Sequence, residues 1–279
     1  MARARHPESN PAASAVLTGR SRRAASLFIP REHGSWGMLL TVLILPPAAL
    51  GTRGAAWWFV GAAAVLFFAR RPWEIWLQTA PRPDGAARAA ALVLTLLGLA
   101  LGATGLRAAP TPAVFLLAVL AAGLAGFSAY SESLPQRRGA VAGRLAGAAG
   151  MVSLLLLQTA AAFGAVPPAG WTLGALCLAY FLTSGLRVRS LVRARKVEGF
   201  RRISVAVHGA VLAGAAAAAL AGAAPPLAPA AFAPGLVQAV RILGRGPAPV
   251  NTLRMGIGEI LHAAAFVVLT IAAYRLSGI

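Results

Sequence analysis

Acid is what this chain most lacks. It has seven acidic residues, and only one of them, Asp84, is an aspartate. Any mechanism that rests on aspartate clusters is excluded. Lysine is almost absent too: of 26 basic residues, all but Lys196 are arginine. Cysteine occurs once, as Cys177 inside an apolar run, so no intrachain disulfide and no paired-cysteine metal motif can form. Charged residues of both signs make up 12% of the 279 positions, against about 25% in a soluble domain. Such a chain cannot cover a water-facing surface, which excludes a soluble enzyme. No glycine loop for phosphate and no G-x-S-x-G elbow is present, and no cofactor and no metal are expected.

Apolar length is what the chain has. Hydrophobic types reach 58% and the mean hydropathy is +0.71. A helix that spans a bilayer needs about 20 mostly apolar residues. Nine runs qualify: about 33–51, 55–70, 87–106, 111–131, 144–166, 169–186, 203–222, 224–240 and 256–275. The eighth holds Pro225, Pro226, Pro229 and Pro234, so a broken or re-entrant segment is expected there. The fold class expected is all-α, a polytopic membrane helical bundle. One transmembrane domain over 28–279 would follow a disordered basic tail over 1–27. That tail has five arginines and no apolar core of a signal peptide.

The net charge of +19 does not point to nucleic acid. The bases sit in short loops between apolar runs and act as topology signals. Even-numbered loops carry them: Arg70, Arg71, Arg82 and Arg88; Arg137, Arg138 and Arg144; Arg187, Arg189, Arg193, Arg195, Lys196, Arg201 and Arg202; Arg241, Arg245 and Arg254. Odd-numbered loops have only Arg53 and Arg107. This pattern puts the N-terminus in the cytoplasm and the C-terminus outside, in a bacterial inner membrane. The bilayer is the first partner, and a bound anionic or isoprenoid lipid is the second.

Ionisable residues near a membrane are costly and mark function by default. Glu32 and His33 open the first span, and Glu74 follows the second. Glu198 lies between the sixth and seventh, His208 starts the seventh, and Glu259 and His262 lie early in the ninth. All fall toward the cytoplasmic face, which suggests a polar cavity open to that side. Gln158 and Thr159 are the main polar residues of the other half.

Each group has two readings. Arg31-Glu32-His33 is a helix start in which Glu32 complements the positive helix end, or a ligand site with His33 as proton carrier. Arg70, Arg71 and Glu74 are a local ion pair beside Trp73 and Trp76, or an arginine clamp for phosphate or carboxylate. Glu259 and His262 share a helix face at i, i+3. They are a buried hydrogen-bonded pair or an acid–base pair; one E-x-x-H copy is weak support for metal. Arg201, Ser204 and His208 share one face of the seventh span. The candidate acid–base residues are thus His33, Glu259 and His262. The candidate ligand-binding residues are Arg31, Glu32, Arg70, Arg71, Glu74, Arg193, Arg195, Glu198, Arg201, His208 and Arg254. Whether the protein is an enzyme stays open.

The segment Pro30-Arg31-Glu32-His33-Gly34-Ser35-Trp36 resembles the opening P-x-x-H-G-[AS]-W signature of the YwiC-like proteins, bacterial multi-pass membrane proteins. Arg70-Arg71-Pro72, the arginine-rich loop after the sixth span and the Arg254 to Glu259 stretch extend the resemblance from about residue 28 onward. It implies a membrane location and carries no activity. More distantly, the chain is similar to the UbiA-type prenyltransferases in span count, orientation and two polar loops. It lacks their aspartate-rich motifs, with Glu74 and Glu198 alone in the matching loops. That likeness implies a cytoplasm-facing cavity for a lipid with an anionic head. Transport of a small molecule or ion, and non-catalytic binding of a partner or anionic lipid, are the alternatives.

Overall fold

The computed structural model of the chain describes residues 33–78, 84–133, 140–193, 199–244 and 252–278. Nine α-helices follow one another in these segments: α1 (His33–Leu50), α2 (Ala56–Gln78), α3 (Gly85–Ala108), α4 (Pro112–Ser133), α5 (Ala140–Phe163), α6 (Pro168–Arg193), α7 (Gly199–Leu220), α8 (Ala233–Leu243) and α9 (Thr252–Leu276). A 3-10 helix, Ala228–Phe232, leads directly into α8. Among the described residues there is no strand. The protein is an all-α, multi-pass membrane protein. Six helices (α3, α4, α5, α6, α7 and α9) are long and apolar enough to cross a bilayer. Two apolar segments are shorter, Trp36–Leu50 and Ala228–Leu243. The second helix runs on to Gln78, beyond the expected end near 70. Glu74, expected after this span, therefore lies within it.

Local chemistry sets the ends. The single aspartate is a helix cap: Asp84 Oδ1 accepts from the amides of Ala86 (3.0 Å) and Ala87 (3.2 Å) at the start of α3. Thr111 does the same for α4, accepting from Val114 at 3.3 Å, with Pro112 in the first turn where its missing N–H costs nothing. After α1, Gly51 takes φ +69° and its amide donates to Pro47 O, a left-handed stop that favours glycine.

The residues fall into two compact units. One covers Ala64–Leu99, the later part of α2 and the earlier part of α3. Trp73 Nε1 donates to Thr95 Oγ1 at 2.9 Å, and the Trp73 and Trp76 rings lie 4.8 Å apart. Arg88 sits 5.6 Å over the Trp76 ring.

The other unit holds the remaining described residues, and α5 is its central helix. Two thirds of the spanning part of α5 is buried, against 11% for α4. Helix α4 packs on α5, α1 on α9 and α5, and α6 on α5 and α7. Glycines make the α4–α5 contact close: Cβ atoms at Gly147 and Gly150 would stand 3.0 Å from Ser128 Oγ and 3.3 Å from Leu124 Cβ. Tyr180 of α6 stacks on Phe266 of α9 at 4.1 Å, and Phe232 meets the Phe266 ring edge-on.

Helix α1 passes through Pro46 and Pro47 without ending. Proline at 46 has no N–H for the carbonyl four residues back, that of Val42. Gln158 of α5, fully buried, reaches over and donates Nε2 to Val42 O at 3.2 Å. A side chain from a neighbouring helix thus repairs the ladder, which is how lipid-embedded helices tolerate proline.

Candidate functional site

Helices α6, α7 and α9 and the start of α8 converge on one polar cluster. Arg187 is 1% exposed and Glu259 is 9% exposed, so an isolated charge at either position would be costly. They form a two-pronged ion pair: Nε donates to Oε1 at 3.0 Å and Nη2 to Oε2 at 2.7 Å. Ser184, one turn before Arg187 on α6, donates to Oε2 at 2.7 Å. Both carboxylate oxygens are therefore engaged.

Two histidines stand beside this pair. His208 is buried, with Nδ1 2.7 Å from Ser204 O. A carbonyl only accepts, so Nδ1 carries the hydrogen and Nε2 of the neutral ring is left as an acceptor. Nε2 is buried and finds no partner among the described residues. His262 is held in the same way, with Nδ1 2.6 Å from Gly258 O.

Tyr180, Arg187, His208, Phe232, Gly235 and His262 line a cavity of about 10 Å³, room for one water-sized group. Gly235 is near the start of α8. A Cβ there would stand 3.3 Å from both Arg187 Nη1 and His208 Cδ2. The missing side chain keeps the cavity open.

Depth follows from residue spacing. At 1.5 Å per residue the cluster lies about 9–15 Å inside the ends of α6, α7 and α9 that carry the basic loops. This is well below the surface and short of the far side.

The sequence candidates separate into groups. Glu259, His208 and His262 come together. Arg70, Arg71 and Glu74 belong to the other unit and form their own pairs, Arg70 Nε–Oε1 at 3.1 Å and Arg71 Nη1–Oε2 at 2.9 Å. The local ion pair expected from their spacing is present. Arg201 is half-buried in the first turn of α7, and Arg254 is exposed in the first turn of α9. Arg31, Glu32, Arg195 and Glu198 lie outside the described residues, as do the side chains of His33 and Arg193. Among the described residues, no three His, Cys, Asp or Glu side chains gather into a metal-binding group.

Arg187 is the residue that sequence reasoning missed as part of a site, because it counts there as one of seven bases in a loop. Spacing alone pairs Glu259 with His262, whereas its carboxylate turns to Arg187. The signal was available: a lone acid inside an apolar helix needs a base, and Arg187 follows Ser184 by one helical turn at the end of an apolar run.

The family model described as YwiC-like protein matches residues 29–159, just under half of the chain. No curated protein and no solved structure matches it. The chain is similar to that family over α1 to α5, and the Arg187–Glu259 cluster lies beyond the matched stretch.

Proposed function

We propose that this is a bacterial inner-membrane protein, N-terminus in the cytoplasm and C-terminus outside, that binds the anionic head of an amphipathic lipid through the Arg187–Glu259–His208–His262 cluster. One observation supports this reading most: a buried, fully bonded ion pair beside an unpartnered histidine nitrogen, set in an otherwise apolar helix bundle. Buried ion pairs are seldom retained for stability, since apolar replacements of the same volume are often as stable or more so. Glu259 has the role of holding the Arg187 fork in place. Acid–base work, if the lipid is modified, falls to His208 and His262.

The cavity admits the tip of a head group and not a diphosphate. The tail would lie on the apolar outer faces of α7 and α9, where Ile203, Ile257, Ile260 and Leu261 are exposed. Arg201 and Arg254, nearer the helix ends, would draw the anion in. Arg31, Glu32, His33, Arg193, Arg195 and Glu198 are assigned to the same cytoplasmic approach. Arg70, Arg71 and Glu74 are assigned to an interfacial contact with anionic lipid.

Native mass spectrometry of protein purified in mild detergent tests this. Wild type should retain an anionic lipid, and Gly235→Leu, which fills the cavity, should lose it. Equal retention by both chains would sink the proposal.

A second reading is transport. It is favoured by α8, a half-length helix that starts at the level of the cluster, as in transporters with broken helices. Anion uptake into proteoliposomes that Gly235→Leu abolishes would select it.

A further inference from the structure

We infer that the cavity takes one oxygen of a phosphate- or carboxylate-type anion together with one proton, and that His208 Nε2 holds the proton. This deepens the anion-binding reading above and rests on it.

The chemistry follows from the pinned ring. Nδ1 of His208 already donates to Ser204 O at 2.7 Å, so it cannot serve the cavity. The nitrogen that lines the cavity is Nε2, and in the neutral ring it offers a lone pair. An oxyanion also offers only lone pairs. The two repel unless a proton sits between them. Two features at this point accommodate an anion: Nη1 of Arg187, the prong that Glu259 does not engage, and the absence of a side chain at Gly235, where a Cβ would stand 3.3 Å from both that Nη1 and the His208 ring. The site therefore offers an anion one guanidinium nitrogen and room beside Gly235, and requires a hydrogen at His208 Nε2. Anion and proton enter as a pair, the proton coming from the cytoplasmic solution. No bond in the anion breaks.

The charged and titratable groups facing His208 are few. Helix α6 brings Tyr180 and Arg187, and α9 brings Glu259 and His262. On the line of the cavity the 3-10 helix and α8 bring Phe232, Pro234 and Gly235, none of which titrates. His208's own helix adds the Ser204 carbonyl, already bonded, and Arg201 one turn nearer its start. Glu259 is neutralised by Arg187. His262 has the same pinned Nδ1, so it is the one group that could substitute as proton holder.

The same oxygen could belong to a lipid head group or to a free ion. The experiment separates them with two probes that do not titrate between pH 6 and 8. Full-length protein is placed in phosphatidylcholine nanodiscs and titrated with sulfate, by calorimetry in two buffers of different ionisation enthalpy, at pH 6, 7 and 8. In the second arm, phosphatidylglycerol is built into the discs and its retention on the protein is read by native mass spectrometry over the same pH range.

One probe should bind about tenfold tighter for each unit of falling pH, and for sulfate the two buffers should report about one proton taken up per anion. Binding of sulfate points to a free ion, and retention of phosphatidylglycerol alone points to a lipid. In His208→Gln the amide can donate without taking a proton, so binding at pH 6 should weaken and the pH slope should flatten. His262→Gln should leave the slope in place. A wild-type slope of zero, or a slope unchanged in His208→Gln, overturns this inference while the anion site stands. No binding of either probe at any pH overturns the anion-binding reading as well.

Discussion

At the scale of single residues, two buried polar pairs have opposite consequences for mutation. Glu259→Gln removes the charge that balances Arg187 and leaves a buried guanidinium without its counter-charge. The expected cost is about 3–5 kcal/mol, seen as a lower melting temperature in detergent. The double variant Arg187→Met, Glu259→Leu removes both charges and should melt far closer to wild type. If the double variant melts as low as the single one, the cost comes from lost packing. Gln158 is different, because its partner is a backbone carbonyl that proline has freed. Gln158→Leu should cost about 1–3 kcal/mol by leaving Val42 O unbonded. Adding Pro46→Ala restores an amide for that carbonyl, so the loss should shrink in the double variant. Equal losses with and without Pro46 would show that Gln158 does not act through Val42. Neither pair was legible in full. Glu259 could be picked out because charge in an apolar run is visible in one dimension. Arg187 and the Val42 carbonyl could not, since their partners lie 72 and 116 positions away.

At the scale of elements, each of the nine apolar runs overlaps a helix among the described residues, and six of those helices are long and apolar enough to cross a bilayer. Their ends were less legible. Helix α2 runs through Arg70, Arg71 and Glu74, because their i, i+3 and i, i+4 pairing makes charge compatible with a helix near an interface. The break before α8 was legible, since Pro225, Pro226, Pro229 and Pro234 cannot all fit one continuous helix. Which helices touch was not legible, because small residues occur in nearly every span. The α4–α5 contact can be tested directly. An ideal Cβ at Gly147 would stand 3.7 Å from Ser128 Cβ, inside the range a disulfide needs. Ser128→Cys with Gly147→Cys should therefore cross-link under mild oxidation, against a background of one buried native thiol. Adding Gly150→Leu, whose side chain would press on Leu124 and the Ala125 amide, should cut the yield several-fold. Cross-linking that ignores position 150 would mean that the glycine stripe does not set this distance.

For the whole molecule the eighth segment is decisive, because the side of everything after it depends on whether that segment crosses. Helix α8 alone has 11 residues, about 16 Å, half of a bilayer core. The 3-10 helix before it adds about 10 Å, which brings the pair close to the apolar thickness. Its course also has a fixed point. Gly235 touches the level of His208, about 18 Å back from the end of α7 at Leu220. The chain must therefore return most of the way across before α8 begins, and α8 carries it the rest of the way to Arg241. This is the side where the positive-inside pattern wants Arg241, Arg245 and Arg254. Reporter fusions read this out. Alkaline phosphatase should be active when fused after Gly222 and after Ile279, and green fluorescent protein should glow when fused after Gly244. If Gly222 and Gly244 report the same side, the segment is re-entrant. Helix α9 would then start on the side opposite the end of α6, where Glu259 could not reach Arg187, and the cluster itself would fall with it.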